Sequence, residues 1–312
     1  MNSLVSIVTP SYNQAAYLEA TIRSVLEQDY EPIEYVVVDD GSTDGSVEIV
    51  QRYEGRLTAA IRQENAGQVA ALNRGFARTS GAYMGYLNSD DTLLPGAVAR
   101  MAAELEADPS LLLVYGDALY TDEHGRQTGY LPAREFDVAA MVRACDNHVV
   151  QPSTLWRREA WERFGPLNED GWYFFDFEFF LRFPPERVKR IPEPLSTYRI
   201  HSEAKSTGAA GTRLAHDHAR LAETFFAGYA LPEAARPVAR QGRASAYLLG
   251  AEFAYDALDL PLARRYALAG LRLDPRRAAS PRWSSLAAKT FLPRGVVSRL
   301  RARRRAAVAA RA

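Results

Sequence analysis

Acidic side chains follow two short apolar runs in this sequence, and their types and spacing suit the binding of a nucleotide and a divalent ion. The run at residues 35–38 is followed by Asp-Asp-Gly-Ser-Thr-Asp at residues 39–44. Such a turn offers hydrogen-bond acceptors to a base or a ribose, although a solvated helix N-cap would also explain it. The run at residues 83–87 is followed by Asn-Ser-Asp-Asp at residues 88–91. Adjacent acids suit Mg²⁺ or Mn²⁺, which takes one or two protein carboxylates together with phosphate oxygens and water, with a solvated turn as the alternative.

An aromatic segment at residues 172–183 surrounds a third candidate, Asp176. Eight of its twelve residues are Phe, Tyr or Trp, and in a helix they flank Asp176. Partial loss of solvent would raise the pKa of this carboxylate and make it a better proton acceptor, while a structural helix cap is the alternative. Glu178 and Arg182 are four residues apart in the favourable order, which predicts an exposed ion pair.

Alternating apolar and amphipathic segments predict the elements that position these side chains. The strands are predicted at residues 4–9, 34–38, 57–61, 83–87, 111–115, 153–156 and 195–200. The helices are predicted at residues 15–28, 47–53, 68–78, 95–107 and 173–183, with a hairpin turn at 122–125. This order predicts an open α/β sheet with helices on both faces. Because ligands of such sheets bind beyond the carboxyl ends of the strands, residues 10–14, 39–44 and 88–91 should meet at one edge.

Charge is distributed unevenly along the chain. The 312 residues carry 38 Lys+Arg and 38 Asp+Glu, but residues 201–312 hold 20 of the basic and 8 of the acidic residues. The neutral total argues against a protein that coats nucleic acid. The single cysteine, Cys145, excludes an internal disulfide and a multi-cysteine zinc site. The sequence shows no basic leader and no apolar stretch of about 18 residues, so a cytoplasmic protein is expected.

The segment after the first predicted strand argues against two classes of nucleotide-binding protein. A dinucleotide-binding fold would carry G-x-G-x-x-G there, whereas residues 9–14 read Thr-Pro-Ser-Tyr-Asn-Gln. An NAD or FAD enzyme is therefore not expected. A nucleotidyltransferase would need a glycine-rich, basic loop to hold a triphosphate. The same six residues contain no Gly, Lys or Arg.

Four segments together resemble the family 2 glycosyltransferases. They are residues 5–13, residues 38–44, Asn65-Ala66-Gly67 with Asn73, and residues 87–91. The resemblance extends over residues 4–206 and implies the GT-A nucleotide-sugar-binding fold with a mostly parallel central sheet. It also implies transfer of a sugar from a nucleoside diphosphate with inversion at the anomeric carbon. The expected donor carries UDP rather than GDP or dTDP, and the expected acceptor is a saccharide or lipid-linked saccharide of bacterial surface polysaccharide or lipopolysaccharide assembly.

The resemblance also implies roles for individual residues. The donor-binding residues that it implies are Pro10, Ser11, Tyr12, Asp40, Asn65, Asn88, Ser89 and Arg199. The metal-binding D-x-D motif falls on residues 88–90, where Asn88 replaces the first Asp and removes one charge facing the diphosphate. Asp90 and Asp91, with His201, would hold the divalent ion, Mn²⁺ or Mg²⁺.

The general base implied by the resemblance is Asp176, although the Glu that usually precedes it is Phe175 here. His148 falls in a stretch that resembles the acceptor side of the family. The predicted function is therefore an inverting, metal-dependent glycosyltransferase. The departures at Asn88 and Phe175 leave one alternative open, a non-catalytic nucleotide-sugar-binding module that acts through its helices.

A basic helical extension, residues 206–312, is predicted to follow a catalytic domain of residues 1–205. Prolines cut its Ala-, Leu- and Arg-rich sequence into short helices, and His216 and His218 are expected at its surface. Basic and apolar residues interleave along residues 282–305. Such a stretch suits peripheral contact with the inner face of the plasma membrane, while a solvated helical cap with a frayed tail is the alternative. Nucleic acid is not an expected partner.

Overall fold

The candidate site residues lie in a unit built around one mixed sheet. The computed structural model describes residues 2–202, 205, 211–228 and 231–299. Contacts within the chain define a sheet unit, Met1–Asp137 with Asn147–His201, and a helical unit, Val138–Asp146 with Ser202–Ala312. The expected domain boundary between residues 205 and 206 stays a prediction.

Eight strands of the described chain form the sheet, and four of their seven pairings are parallel. The strands are β1 (Val5–Ser11), β2 (Ile33–Asp39), β3 (Ala59–Arg62), β4 (Tyr83–Tyr86), β5 (Leu113–Thr121), β6 (Gln127–Leu131), β7 (Thr154–Arg157) and β8 (Val188–Arg199). Their order is β3-β2-β1-β4-β7-β5-β6, and β8 pairs with β5. Strands β1 to β4 are parallel, as are β5 and β8, which confirms the predicted α/β class with a mostly parallel central sheet.

Helices connect these strands and cover the sheet. In the sheet unit they are α1 (Ala15–Leu26), α2 (Ser46–Tyr53), α3 (Gln68–Phe76), α4 (Ala97–Ala107), α6 (Arg158–Phe164) and α7 (Phe175–Phe180), while α5 (Val138–Ala144) belongs to the helical unit. Helix α1 buries Leu18, Ile22 and Val25, whose spacing of four and three residues places them on one face. Every residue of β1 is buried, as expected of a strand covered on both faces.

Most of the expected elements are confirmed, with α1 to α4 and β1 to β4 within two residues of their predicted ends. Strand β8 begins at Val188, seven residues before the predicted start. Pro192 and Pro194 argue against a strand there, and the structure accommodates them where the register with β5 shifts beside Asp117. Elements β6, α5 and α6 were not predicted from the sequence. Each has seven residues or fewer and therefore shows little periodicity.

The helical unit confirms that prolines divide this part of the chain. Its further helices are α8 (Gly211–Glu223), α9 (Ala239–Asp256), α10 (Leu260–Leu273) and α11 (Pro281–Lys289), and residues 294–299 are also helical. Pro261 and Pro281 lie in the first turns of α10 and α11, where their missing N–H costs no hydrogen bond. Asp259 caps α10 by accepting a 3.1 Å hydrogen bond from the N–H of Leu262. Within the described ranges, none of the helices has the length and apolar character needed to cross a membrane.

One expectation for this unit is wrong, since His218 is buried. It is 4% exposed, its Nδ1 lies 2.8 Å from the carbonyl oxygen of Leu214, and its ring lies 5.1 Å from that of Phe253. Burial lowers its pKa to about 4. Helix α8 is covered on more than one face, so two histidines two residues apart do not both reach solvent. His216 is exposed, as expected.

Candidate active site

Two buried polar side chains end the neighbouring strands β1 and β2. Ser11 and Asp39 are paired positions in the parallel register and are 1% and 3% exposed. Within the described residues, Ser11 Oγ and Asp39 Oδ2 have no hydrogen-bond partner, whereas Asp39 Oδ1 accepts a 3.1 Å hydrogen bond from the N–H of Ser42. Buried polar atoms are nearly always paired in folded proteins. These two atoms therefore mark a place where a ligand or water completes the bonding.

Asp40, the donor-binding candidate from the sequence, is engaged by the protein itself. Its Oδ1 accepts hydrogen bonds from Gln63 Nε2 at 2.7 Å and from the N–H of Ala66 at 2.9 Å. Its Oδ2 accepts a 2.8 Å hydrogen bond from the N–H of Gly67. Asp40 thus fixes the loop between β3 and α3, and its direct contact with base or ribose stays a prediction. Asp39 was not selected from the sequence, although its position was a signal. A carboxylate in the last position of a buried strand is costly unless it binds a partner.

Gly41 allows this loop to lie close to the end of β2. Its φ is +82°, and a Cβ would lie 2.9 Å from the backbone nitrogen of Asn65. We expect Gly41→Ala to lower the melting temperature by several degrees, because left-handed backbone costs about 1–2 kcal/mol and each kcal/mol shifts Tm by roughly 2–4 °C. Thermal denaturation measures this. Gly55→Ala is the control, since a Cβ there meets nothing within 4 Å; an equal shift in both variants would contradict the expectation.

Asn88, which stands at the first position of the D-x-D motif, belongs to a chain of amide side chains. Gln68 Nε2 donates to Asn88 Oδ1 at 2.7 Å, and Asn88 Nδ2 donates to Gln151 Oε1 at 3.1 Å. Gln151 Nε2 in turn donates to the carbonyl oxygen of Tyr86 at 2.8 Å. An Asp at position 88 would offer no donor to Gln151. The neighbouring Gln68 and Gln151 are therefore suited to Asn rather than Asp at this position. Contact of Asn88 with the donor stays a prediction.

Asp90 and His201 form a close pair beside the end of β8. Asp90 Oδ2 lies 3.1 Å from His201 Nε2, and the Asp90 side chain is 22% exposed while that of His201 is 1% exposed. The His201 ring lies against Tyr17, with the ring centroids 4.7 Å apart. His201 Nδ1 is buried without a hydrogen-bond partner in the part of the chain that the structure describes. The structure thus brings together one carboxylate and one imidazole of the predicted metal site.

Arg199 braces this pair from the last position of β8. Its Nε donates to the carbonyl oxygen of Asp90 at 2.8 Å, and its Nη1 donates to that of Asp122 at 3.1 Å. Its guanidinium carbon lies 4.9 Å from the ring centroid of Tyr17, and the residue is 6% exposed. These contacts fix the end of β8 against the β5–β6 hairpin. Contact of Arg199 with a diphosphate stays a prediction.

Asp91 is 3% exposed and holds two other segments in place. Its Oδ1 accepts a 2.9 Å hydrogen bond from the N–H of Arg199, and its carbonyl oxygen accepts a 2.7 Å hydrogen bond from Thr21 Oγ1. Burial, and then the charge of Asp90, raise the pKa of Asp91 well above its usual range. Of the residues that the structure describes, no three His, Cys, Asp or Glu side chains converge to hold a metal ion, so Asp91 does not complete a three-ligand group with Asp90 and His201.

The chemistry of the Asp90–His201 pair still fits a divalent ion that arrives with its substrate. Mg²⁺ or Mn²⁺ bound to a diphosphate needs only one or two protein ligands, because phosphate oxygens and water fill the other positions. Asp90 supplies a partly exposed carboxylate, and His201 supplies an imidazole next to it.

Asp176, the candidate base, lies in the first turn of α7 and is partly exposed. Its Oδ1 accepts a 2.7 Å hydrogen bond from the N–H of Phe177. Burial, and then the charges of Asp176 and Asp91, raise the pKa of Tyr86 well above its usual range. Burial and the charge of Asp176 raise the pKa of Tyr173 to about 12. The negative charge of Asp176 therefore contributes to raising the pKa of Tyr86, which is the last residue of β4. The chain after β4 leads into the acidic turn at Asp90.

Aromatic contacts fasten α7 to the sheet. The ring centroids of Phe175 and Tyr86 are 6.1 Å apart, and those of Phe179 and Trp156 are 5.4 Å apart in an edge-to-face arrangement. Such pairs contribute about 0.5–1.5 kcal/mol each beyond burial of their area. Phe175, the departure from the family pattern, thus positions the helix that carries the candidate base.

The exposed ion pair expected at Glu178 and Arg182 is wrong, because Glu178 is 2% exposed. Its Oε2 accepts a 2.9 Å hydrogen bond from Asn168 Nδ2, and an Arg182 guanidinium N–H donates to the carbonyl oxygen of Phe164. Helical spacing predicted that the two side chains share a face, but it could not show that this face turns inward. Asn73 holds the same loop through two 3.0 Å hydrogen bonds with the backbone of Leu167.

The remaining candidates are divided between surface and interior. Tyr12 is 48% exposed and Asn65 is exposed, whereas Pro10 is buried and Ser89 is 6% exposed. His148 is 9% exposed, and its Nδ1 lies 2.7 Å from the carbonyl oxygen of Glu135. The exposed Tyr12 directly follows Ser11 in the chain.

Comparison with known proteins agrees with this arrangement of strand ends. A family model described as glycosyl transferase family 2 matches residues 6–163, half of the chain. The chain belongs to glycosyl transferase family 2. The matched region of this family 2 member contains the β1, β2 and β4 strand ends and the acidic turn, and it stops before Asp176.

Sequence relatives of this family 2 member include bacterial proteins of polysaccharide biosynthesis. It is 29% identical over 220 residues to the uncharacterized glycosyltransferase alr2836 of Nostoc sp., covering 66% of this chain and 67% of the relative. It is 44% identical over 91 residues to the putative teichuronic acid biosynthesis glycosyltransferase TuaG of Bacillus subtilis, covering 28% and 36%. It is 31% identical over 217 residues to the O-antigen biosynthesis protein RfbC of Myxococcus xanthus, covering 67% of this chain and 17% of that protein.

Solved structures with the same fold include two nucleotide-sugar complexes. TarS 1-349 of S. aureus in complex with UDP-GlcNAc has a TM-score of 0.62 and 16% identity, with 96% of this chain and 92% of TarS 1-349 covered. The mannosyltransferase PcManGT of Pyrobaculum calidifontis in complex with GDP-Man and Mn²⁺ has a TM-score of 0.59 and 18% identity, with 96% and 87% covered. At these identities the likeness establishes that the family 2 member shares their fold.

Proposed function

We propose that the chain is an inverting glycosyltransferase that moves a sugar from a nucleoside diphosphate to an acceptor hydroxyl, with UDP favoured over GDP and dTDP. The observation that carries the proposal is the pair of buried atoms, Ser11 Oγ and Asp39 Oδ2, which lack partners among the described residues at the ends of β1 and β2. A hydroxyl that donates and a carboxylate that accepts match the imide edge of uracil, which presents an N–H between two carbonyl oxygens. The complexes of TarS with UDP-GlcNAc and of PcManGT with GDP-Man, which share this fold, support a nucleotide-sugar donor.

The donor diphosphate would lie along the turn that follows β4. Asp90 and His201 would hold a divalent ion there, and such an ion neutralises charge on a leaving diphosphate. Arg199 and the amide chain through Asn88 keep this turn in place. A preorganised turn lets the protein stabilise the leaving group without rearranging during the reaction.

Asp176 would accept the proton of the acceptor hydroxyl. As that proton leaves, the hydroxyl oxygen attacks the anomeric carbon from the face opposite the diphosphate, and the bond between that carbon and the phosphate oxygen breaks. The configuration of the anomeric carbon is thereby inverted. Holding donor and acceptor in line would contribute much of the rate enhancement. The aromatic contacts of α7 with β4 and β7 would keep Asp176 in position for this reaction.

The acceptor we propose is a growing surface polysaccharide or its lipid-linked saccharide precursor, handled on the cytoplasmic side of the membrane. The names of TuaG and RfbC, which point to teichuronic acid and O-antigen biosynthesis, support this class. The matched region covers only 36% of TuaG and 17% of RfbC, so the support concerns the transfer domain and not the whole relatives.

A donor panel tests the proposed function. The protein is incubated with UDP-, GDP- and dTDP-sugars, with and without Mn²⁺, and release of the nucleoside diphosphate is measured in the presence of saccharide acceptors. We expect turnover with one UDP-sugar. Tight nucleotide binding with no turnover for any donor would instead support the alternative, a non-catalytic nucleotide-sugar-binding module. The departures from the family pattern at Asn88 and Phe175 are the observations that favour this alternative.

Replacing Asp90 tests the assignment of the divalent ion. We expect Asp90→Asn to raise the Mn²⁺ concentration needed for half-maximal donor binding at least tenfold, since losing even an outer contact of a metal site costs about 10–100-fold in affinity. Isothermal titration with the nucleotide at varied Mn²⁺ measures this. Glu123→Gln, an acid on the β5–β6 hairpin whose side chain is 61% exposed, is the control. Identical Mn²⁺ dependence in both variants would remove Asp90 from the site.

A further inference from the structure

The last described part of the chain carries an apolar segment on the surface of the helical unit. This segment, here called the apolar loop, consists of the turn at residues 291–293 and the first three residues of the helix at 294–299. Residues 291–296 are all exposed. The exposed fractions are 60% for Phe291, 38% for Leu292 and 41% for Val296. They make up three of the six large apolar side chains that are exposed in the described part of the chain. Scattered exposed apolar residues need no explanation, but a cluster of this kind marks an interaction site.

Buried contacts on both sides hold this loop in place. Leu286 before it is 7% exposed and Val297 after it is fully buried. The guanidinium carbon of Arg264 lies 4.2 Å from the ring centroid of Phe291, and Arg264 Nη2 donates to the carbonyl oxygen of Thr290 at 2.7 Å. Phe291 is therefore presented to solvent on a fixed backbone, with a cation behind its ring.

The charged residues of this part of the sequence are all basic. Residues 275–312 contain 11 Lys+Arg and no Asp or Glu. Arg277 and Arg282 form ion pairs with acids elsewhere in the helical unit. Arg294 is the first residue of the helix at 294–299 and Arg299 is its last described residue, and both are exposed. A surface suits a partner that is apolar inside and anionic outside when it combines exposed apolar side chains with arginines that form no ion pair among the described residues.

We propose that this loop docks the chain on an anionic phospholipid bilayer. The side chains of Phe291, Leu292 and Val296 would enter the boundary between headgroups and acyl chains, while Arg294 and Arg299 would contact lipid phosphates. Nucleic acid would satisfy the arginines but would leave the apolar cluster unused. The inference does not depend on the proposed sugar transfer, since it rests on the helical unit alone.

Vesicle flotation tests the proposal with the full chain. The vesicles consist of phosphatidylcholine alone, or of equal parts phosphatidylglycerol and phosphatidylcholine. We expect the wild type to float only with the anionic vesicles. Phe291→Ser with Val296→Ser should reduce the bound fraction on the order of tenfold or more. Arg294→Glu with Arg299→Glu should reduce it by at least about fivefold per reversed charge.

Ile200→Ser is the matched control, because Ile200 is a large apolar residue that is 44% exposed in the sheet unit. It should float like the wild type, and circular dichroism melting curves of all variants should agree with the wild type, so that unfolding does not account for a loss of flotation. Equal flotation of the loop variants and the wild type would overturn the proposal. So would equal binding to neutral vesicles, or an absence of vesicle binding together with loop-dependent dimerisation in light scattering.

Discussion

Asp176→Asn should lower the rate of sugar transfer on the order of 10²- to 10⁴-fold, which is the usual contribution of a positioned general base. Asn keeps the shape of the side chain and can still accept the hydrogen bond from the N–H of Phe177, so the first turn of α7 should stay intact. Donor binding should stay within about twofold of the wild type, because the binding atoms at the ends of β1 and β2 are unchanged. Acceptor-dependent release of the nucleoside diphosphate, with titration of the nucleotide alongside, measures both quantities.

Asp170→Asn is the matched control for this variant. It makes the same chemical change in an exposed residue of the loop that leads to α7. We expect it to retain wild-type transfer. If Asp176→Asn transferred sugar as fast as Asp170→Asn, another group would have to accept the proton.

Asp39→Asn should weaken nucleotide binding about 10- to 100-fold without destabilising the fold. A hydrogen bond to a charged group contributes about 1.5–3 kcal/mol, and each 1.4 kcal/mol is tenfold in affinity. The N–H of Ser42 can still donate to the remaining side-chain oxygen. Because Asp39 Oδ2 is buried and lacks a partner in the described residues, removing its charge should leave the melting temperature unchanged or raise it. Calorimetric titration with UDP and thermal denaturation measure the two effects.

Asp40→Asn is the comparison variant, because it makes the same chemical change in the neighbouring acid after the end of β2. Asp40 accepts hydrogen bonds from Gln63 and from the backbone of Ala66 and Gly67, so its substitution should lower the melting temperature as well as affinity. A stability loss in Asp39→Asn as large as that in Asp40→Asn would contradict the assignment of Asp39 to ligand binding.

The strands and helices up to α4 could be predicted from the sequence because each is defined by its own local pattern. Strand β1 shows a short run rich in β-branched residues, β2 contains the continuous apolar run at residues 35–38, and α1 shows its buried face directly in its spacing. The convergence of polar strand ends followed from parallel order alone. These parts of the site needed no knowledge of tertiary contacts.

The rest of the site depends on which atoms already have partners, and residue types do not reveal this. The sequence analysis selected Asp40 and not Asp39 as a donor-binding residue, yet the structure engages both oxygens of Asp40 and leaves one oxygen of Asp39 unpartnered among the described residues. Asp91 looked equivalent to Asp90, but it is buried and one oxygen of its carboxylate accepts a hydrogen bond from the backbone of β8. Glu178 followed helical spacing, and only packing decided that its face lies inside.

The most direct measurement of the central claim is a crystal structure of the chain with a UDP-sugar and Mn²⁺. We predict that the base lies at the ends of β1 and β2, with Asp39 Oδ2 and Ser11 Oγ within hydrogen-bond distance of it. We also predict that Asp176 lies on the face of the anomeric carbon opposite the diphosphate. A nucleotide bound elsewhere, with Asp39 Oδ2 and Ser11 Oγ still without a ligand, would contradict the account.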